Sequence, residues 1–249
     1  DRSPASYIFG GQGRVRGMSM CGRFTLGEIK ELVTRFSIDH PLADMPKPRY
    51  NISPGQNVPI VVEEGSRSLI IMRWGLVPSW AKDPRIGNRM INARSESAAD
   101  KPAFRSAMKA RRCIVPTTGF YEWKKGSDGK RPYIARLKDE RLFGMAGLYE
   151  KWKSPQGSEM LSFTILTTTA NHLMSSIHER MPVILDRQDE GVWLEQGPLD
   201  ADELERIFTP FPSERMEAYE VSTRVNDASV EGEDLIDPVR TAGVQTVLF

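Results

Sequence analysis

Two adjacent residues near the start of the chain, Met20 and Cys21, offer an uncommon reaction. If Met20 is the initiator and is removed, Cys21 becomes N-terminal and carries an α-amine and a thiol on adjacent carbons. That pair captures an aldehyde twice, because the amine forms an imine and the sulfur then closes a five-membered thiazolidine ring. An α-amine titrates near pH ~7.7–8.0, so part of it is neutral and nucleophilic in the cell. Aldehyde capture by Cys21 is therefore a candidate activity.

Three further polar residues lie in contexts that are unusual for surface loops: Asn92, Glu122 and His178. Asn92 precedes a predicted helix, and His178 stands between a helix end and the next strand. Each also has a structural interpretation, as a turn residue for Asn92 and as a helix C-cap stabilised by the helix dipole for His178. Glu122 alternates with Tyr121 and Trp123, so the residue taken alone is better placed on the solvent face of a strand.

Trp74 and Trp80 flank an aromatic, proline-containing turn. Tryptophans in such a position are more often core residues than platforms for nucleic-acid bases. An exposed one, however, would offer a face on which any base can stack. Both interpretations stay open at this point.

Charge is distributed unevenly along the chain, although the net charge is only +1. Residues 1–185 carry 29 bases and 17 acids, whereas residues 186–249 carry 5 bases and 16 acids. The segment 89–112 is the richest in bases. Such a stripe is typical of a surface that follows a phosphate backbone. It is equally typical of a solvated surface whose arginines pair with the acidic C-terminal segment 186–249.

The composition argues against several kinds of site. No Cys-x-x-Cys or His-x-x-x-His pair occurs, so neither a metal site nor a cofactor is expected. The glycines at 10–13 do not follow a strand, which excludes a dinucleotide fingerprint. No apolar run approaches the length of a membrane span. The two cysteines, Cys21 and Cys113, fit a reducing cytosol, and Cys113 is expected to be a buried apolar thiol.

The predicted elements place strands in the middle of the chain and helices at its flanks. Helices are expected at 27–36, 97–110, 170–177, 188–195 and 201–208, and strands at 58–63, 69–74, 113–115, 120–123, 133–137, 142–149, 163–167 and 218–221. The proline-rich segment 41–54 is expected to be an irregular loop. Because β-α-β alternation is missing, we predict an α+β fold, a single domain with a mostly antiparallel, barrel-like β-sheet flanked by helices.

The first 19 residues do not fit this pattern. They contain a glycine run and two arginines but no apolar segment typical of a secretory signal. We expect residues 1–19 to be a disordered, vector-derived leader, with a natural disordered extension as the alternative. Residues 20–240 are expected to form the domain and residues 241–249 a C-terminal tail.

Eight ordered motifs together resemble the SRAP domain of the SOS-response-associated peptidases, also called abasic-site processing proteins. They are Met-Cys-Gly-Arg-Phe at 20–24, Tyr-Asn-Ile-Ser-Pro at 50–54, Trp-Gly-Leu-Val-Pro at 74–78, Ile-Asn-Ala-Arg-Ser-Glu at 91–96, Lys-Pro-Ala-Phe-Arg at 101–105, Arg-Arg-Cys-Ile-Val-Pro at 111–116, Gly-Phe-Tyr-Glu-Trp at 119–123 and His-Glu-Arg-Met-Pro at 178–182. The resemblance runs from residue 20 to about residue 227.

The resemblance implies a DNA-damage protein that binds single-stranded DNA and links its terminal cysteine to the sugar aldehyde of an abasic site. Cys21 would supply both nucleophiles, Asn92 would position the amine, and Glu122 and His178 would form the acid–base pair. In this family, removal of the preceding methionine is attributed to the protein itself, and lyase activity remains an open alternative. The expected protein is a cytoplasmic, nucleoid-associated monomer, without a membrane or metal partner.

The predicted DNA contacts come from the same motifs: Arg23, Asn51, Trp74, Trp80, Arg94, Ser95, Arg111 and Arg112. Arg23 and Arg94 match residues that contact DNA near the lesion, and Ser95 is also expected to cap the helix that follows it. Two alternatives stay open: a thiol peptidase acting on other proteins, and a non-covalent module for single-stranded nucleic acid.

Overall fold

The computed structural model describes residues 21–239. Residues 1–20 and 240–249, on which the predicted leader, Met20 and the predicted C-terminal tail fall, lie outside the described residues. No helix in the described range is long and apolar enough to cross a membrane.

Thirteen strands within residues 21–239 form two sheets. The strands are β1 Arg23–Leu26, β2 Arg49–Ile52, β3 Asn57–Glu63, β4 Arg67–Trp74, β5 Asn92–Arg94, β6 Arg112–Thr117, β7 Gly119–Gly126, β8 Gly129–Leu137, β9 Phe143–Lys153, β10 Glu159–Thr169, β11 Arg180–Pro182, β12 Ile184–Leu185 and β13 Met216–Glu220. One sheet has the order β13-β8-β7-β1-β2. In the other, β10-β4-β3-β6-β9 closes on itself because β9 also pairs with β10.

The closed ring of five strands is a barrel, and most of its pairings are antiparallel. The exceptions are the parallel pairings of β10 with β4 and with the short strand β5. Closure leaves the barrel strands without a free edge within the ring. The predicted α+β class, with a single domain and a barrel-like sheet, is confirmed.

Short helices flank the sheets: α1 Leu32–Arg35, α2 Ser95–Ala98, α3 Arg105–Ala110, α4 His172–Ser175, α5 Arg187–Leu194 and α6 Ala201–Phe208. The 3-10 turns are Ile29–Glu31, Pro84–Arg89, Ser213–Arg215, Thr223–Asn226 and Glu233–Ile236. The predicted helices at 188–195 and 201–208 are confirmed within a residue. The single helix predicted at 97–110 is wrong, because Pro102 lacks an N–H donor and the chain turns between α2 and α3.

The loop predicted for 41–54 is also wrong in its second half. Residues 49–52 form β2, which pairs with β1 through Phe24 opposite Ile52. β2 itself contains no proline, so its backbone donors are intact. The pairing buries Ile52 and the side chain of Asn51.

Trp74 and Phe24 lie at the junction between the barrel and the second sheet. Their ring centroids are 5.1 Å apart in an edge-on arrangement, and Trp74 stacks on Phe163 on its other side. The indole N–H of Trp74 donates to Ile91 O at 2.9 Å. Trp74 therefore belongs to the core and ties β4 to the segment that leads into β5.

Candidate functional site

Cys21 lies two residues before the start of β1, and its backbone N is held against a buried carboxyl. β1 pairs with β7 through Arg23 opposite Tyr121, so the two residues before β1 continue alongside Glu122. Cys21 N donates to Glu122 Oε1 at 2.5 Å. The Cys21 side chain is fully buried, and burial, followed by the Glu122 charge, raises the pKa of its thiol well above the ordinary value. The thiol is therefore neutral in this state.

Glu122 is only 2% exposed, so the prediction that it lies on the solvent face is wrong. Alternation along β7 puts it on the same face as Phe120, and that face packs into the core. Burial raises the pKa of the Glu122 carboxyl to about 8, although the backbone N–H groups of Cys21 and Trp123 oppose the shift. A carboxyl titrating near neutrality can both give and take a proton in the cell.

Asn92 completes a cluster with these two residues. It lies in β5, which pairs with β10 through Asn92 opposite Ile165. Asn92 Nδ2 donates to Cys21 O at 3.5 Å, a long contact from the other sheet. Three of the four predicted catalytic residues thus meet at one point.

His178 lies after α4, half-buried, and its contacts are local. Its backbone N donates to Met174 O at 2.8 Å, which closes the helix end. Its Nδ1 accepts from Arg180 N at 3.1 Å. Among the described residues, neither Cys21 nor Glu122 is a hydrogen-bond partner of His178. The bond from Arg180 occupies Nδ1 and leaves Nε2 as the nitrogen that can reach a ligand.

An ion pair that the sequence did not predict joins the His178 segment to the Asn92 segment. Arg180, which is buried, donates through Nη1 and Nη2 to both carboxylate oxygens of Glu96, at 2.5 and 2.9 Å. It also donates to Thr167 O on the intervening strand β10. Arg180 lowers the pKa of Glu96 by this hydrogen bonding. In the sequence, the only sign of this ion pair is that a basic residue, Arg180, stands between His178 and the Met-Pro pair at 181–182.

Arg23 and Asn51, two predicted DNA contacts, hold the segment 225–230 in place. Arg23 Nη1 donates to Asn51 Oδ1 and to Val225 O, both at 2.6 Å. Asn51 Nδ2 donates to Asp227 O and Val230 O at 2.9 and 2.8 Å. Asn51 is fully buried, so direct contact between its side chain and DNA is not possible in this conformation.

The remaining residues that were predicted to contact DNA fall into an exposed group and a buried group. Trp80 is 59% exposed and Arg94 is exposed, whereas Trp74 is fully buried. A buried ring cannot stack on a base, so the predicted stacking role of Trp74 is wrong. Ser95 is buried and is the first helical residue of α2, so it does not cap that helix as predicted.

The two neighbouring arginines also differ. Arg112 is buried, and its guanidinium donates to the carbonyls of Met108, Trp193, Glu195 and Gly197. Arg111 is half-buried and pairs with Glu150 at 2.9 Å. The prediction that Arg112 contacts DNA is therefore wrong, because its donors serve the fold.

The cluster of Cys21, Asn92 and Glu122 can transfer protons to and from the backbone nitrogen of Cys21. A carboxyl that titrates near neutrality touches the backbone N of a residue whose thiol is neutral and close by. In residues 21–239, no group of three or more His, Cys, Asp or Glu side chains could hold a metal ion.

Comparisons with known proteins are consistent with one another. The family model described as SOS response associated peptidase (SRAP) matches residues 20–228. The abasic site processing protein YoqW of Bacillus subtilis is 44% identical over 222 residues, which cover 88% of this chain and 99% of that protein. The abasic site processing protein HMCES of Xenopus tropicalis is 33% identical, over 75% of this chain and 64% of that protein. An X-ray structure of a protein from Bacteroides thetaiotaomicron has a TM-score of 0.79 and 28% identity, over 88% of this chain and 99% of that chain.

Proposed function

The chain belongs to the SOS response associated peptidase (SRAP) family, and on that premise we propose that it processes abasic sites in DNA by capturing them covalently on Cys21. The substrate is the ring-opened sugar of an abasic site in single-stranded DNA. Its aldehyde reacts with the α-amine and thiol that Cys21 carries once the bond to Met20 is broken. The relatives named as abasic site processing proteins support the substrate class.

The observation that carries the proposal is the 2.5 Å contact between Cys21 N and Glu122 Oε1. In a chain that begins at Cys21, this nitrogen is the α-amine, the first nucleophile of the reaction. A carboxyl within hydrogen-bond reach can accept a proton from the amine and return it later. The bond therefore places an acid–base group at the atom where the chemistry begins.

The steps balance with Glu122 as the proton carrier. The neutral amine of Cys21 attacks the aldehyde carbon and forms a carbinolamine. Glu122, protonated through its raised pKa of about 8, gives a proton to the carbinolamine hydroxyl, which leaves as water. Loss of water leaves an iminium ion and the Glu122 carboxylate. The thiol of Cys21 then adds to the iminium carbon and gives its proton to that carboxylate, which restores the protonated carboxyl. One amine, one thiol and one aldehyde give one thiazolidine and one water.

The surrounding residues have supporting roles in the proposal. Asn92 holds Cys21 O and thereby orients the amine. His178, through Nε2, would serve the sugar oxygen during ring opening. Arg94 and Trp80, both exposed, would contact a phosphate and a neighbouring base. An abasic site has no base to unstack, so its insertion costs less than flipping a normal base.

The same contact supports a second activity, self-cleavage of the Met20–Cys21 bond. Hydrolysis of that bond needs a proton on its leaving nitrogen, and Glu122 touches this atom. Cys21 also has a φ of +32°, and strained backbone of this kind costs about 1–3 kcal/mol in a non-glycine residue. Cleavage of the Met20–Cys21 bond would free the φ angle of Cys21 and so relieve this strain.

Capture is tested with leader-free protein and a single-stranded oligonucleotide that contains one abasic site. The expected result is a band of reduced mobility on a denaturing gel, lost in Cys21→Ala. Cys113→Ala is the matched control, because the Cys113 thiol is equally buried but lies in β6. A shifted band that persists in Cys21→Ala, or its absence from the wild type, would refute covalent capture by Cys21.

A further inference from the structure

The β7–β8 hairpin extends beyond the sheet as a two-stranded ribbon, residues 124–126 and 129–131. In the described chain, the pairing of β7 with β1 ends at Tyr121, and that of β8 with β13 ends at Tyr133. From Glu122 outward, the two strands pair with each other as far as Gly126 opposite Gly129. The ribbon is exposed from residue 125 to residue 131.

The ribbon places like charges directly opposite one another. Lys124 faces Arg131 and Lys125 faces Lys130 across the strands. Cross-strand pairs of the same sign destabilise a sheet. The acid at the tip is Asp128, and Arg131 has Glu220 at 3.4 Å, an exposed pair that contributes little. The opposition of Lys124 and Arg131 therefore lowers the stability of the isolated protein.

The β9–β10 hairpin has a different cross-strand arrangement, in which an acid lies opposite a base. There Glu159 lies opposite Lys153, and Lys151 Nζ is 2.9 Å from Glu159 Oε2. Both hairpins are long and basic. The β9–β10 hairpin carries a carboxylate between its lysines, and the ribbon places cation against cation.

Alternation connects the ribbon to the candidate site. Glu122 and Lys124 point to the same face of β7, and Arg131, the partner of Lys124, shares that face. Two residues of strand span about 7 Å. The charge of Lys130 also reaches the site, since it lowers the pKa of the Glu122 carboxyl against the larger effect of burial.

We propose that the β7–β8 ribbon binds the phosphates of the DNA strand next to the captured sugar, through Lys124 and Arg131. The inference deepens the proposed function and rests on it for the position of the sugar. A polyanion would neutralise the opposed cations and turn an unfavourable arrangement into a binding surface. A strand leaving Cys21 past Glu122 reaches Lys124 and Arg131 first.

The test compares Lys124→Gln/Arg131→Gln with the matched control Lys151→Gln/Lys153→Gln, which removes the same charge from the β9–β10 hairpin. Binding of leader-free protein to an undamaged single-stranded oligonucleotide is measured across a range of salt concentrations. The slope of log K against log salt should fall by about 1.4 in the ribbon variant, since each phosphate contact on single strands contributes about 0.7. The control should keep the wild-type slope.

Thermal unfolding checks that the ribbon variant is folded, and its Tm should be unchanged or raised because opposed like charges are gone. Equal slopes in the ribbon variant and the wild type would overturn the ribbon inference. The capture reaction is scored separately with the abasic oligonucleotide. If the wild type gives no crosslink but the ribbon variant loses salt dependence, covalent capture fails and the ribbon stands as a nucleic-acid surface.

Discussion

At the scale of single residues, the carboxyl of Glu122 is kept neutral by its burial. Its ordinary pKa is near 4.5 and its pKa in the folded chain is about 8. Between these values the folded protein holds a proton that the unfolded chain has lost. Stability from this group is thus fully present below pH ~4.5 and is lost as the pH rises toward 8.

This linkage predicts how Glu122→Gln changes the pH dependence of stability. In the wild type, the free energy of unfolding should fall with pH between about 5 and 8, by at most about 1.4 kcal/mol per pH unit from this group. Glu122→Gln should flatten that fall, because the amide does not ionise. Urea unfolding at several pH values measures it, with Glu217→Gln on the exposed part of β13 as control. A Glu122→Gln curve parallel to the wild type would contradict the raised pKa.

The sequence predicted Cys21, Asn92 and Glu122 as site residues through motifs, and the structure brings these three together. It could not predict the burial of Glu122 from alternation alone. Phe120 and Glu122 share a face that packs into the core, and Glu122 is met there by Cys21, about 100 positions earlier in the chain. A local pattern contains no information about a partner that distant. The role of Asn51 was missed for the same reason, since its partners are backbone carbonyls at 225–230.

At the scale of elements, long strands followed from the sequence and short ones did not. β9 and β10 run for 11 residues each, enough for a clear pattern, and their centres were predicted. β5 and β11 have 3 residues each and exist because they pair with β10. A segment of that length has no periodicity to detect. These two strands nevertheless carry Asn92 and Arg180, so the site depends on the least predictable elements.

The adjacent residues Arg111 and Arg112 are expected to contribute differently to stability, because Arg112 connects β6 to the end of α5. The buried Arg112 guanidinium donates to four backbone carbonyls, three of them at 193–197. Arg112→Ala leaves these acceptors unpaired and should lower the free energy of unfolding by about 3 kcal/mol or more. Arg111→Ala loses a partly exposed ion pair and should cost under about 1 kcal/mol.

Chemical denaturation of both variants measures the contrast. The two substitutions remove the same side chain, so the difference between them reports the burial and the carbonyl partners of Arg112. Equal losses would show that the carbonyl contacts do not stabilise the end of α5.

At the scale of the whole molecule, the fold brings the acidic segment after residue 185 back onto the basic remainder. Arg35 pairs with Glu190 at 2.7 Å, and Arg49 pairs with Glu231 at 2.7 Å. The two interpretations of the charge distribution therefore both hold in part. Some arginines pair with distant acids, whereas Arg94, Arg105 and Lys109 remain exposed on the basic stretch. Exposed basic side chains of this kind give nucleic-acid binding that weakens as the salt concentration rises.

Whether the protein reacts with an abasic site is expected to depend on whether the Met20–Cys21 bond is intact or cleaved. While the bond is intact, the nitrogen beside Glu122 is an amide, which does not attack an aldehyde. The Cys21 thiol alone forms a hemithioacetal, which reverses on denaturation. A chain that keeps its leader should therefore give no stable adduct with an abasic oligonucleotide. The same chain cleaved before Cys21 should give an adduct of protein plus DNA less one water.

Intact-mass spectrometry of one sample measures both whether residues 1–20 are still attached and whether the DNA adduct has formed. The leader-bearing wild type is followed over time beside leader-bearing Glu122→Gln. If Glu122 protonates the leaving nitrogen, the wild type should lose residues 1–20 and then gain the adduct, and the variant should do both more slowly. A stable adduct on a chain whose mass still includes the leader would refute the requirement for a free α-amine. It would leave the thiol or another nucleophile as the reacting group, and the contact between Cys21 N and Glu122 would lose its role in capture.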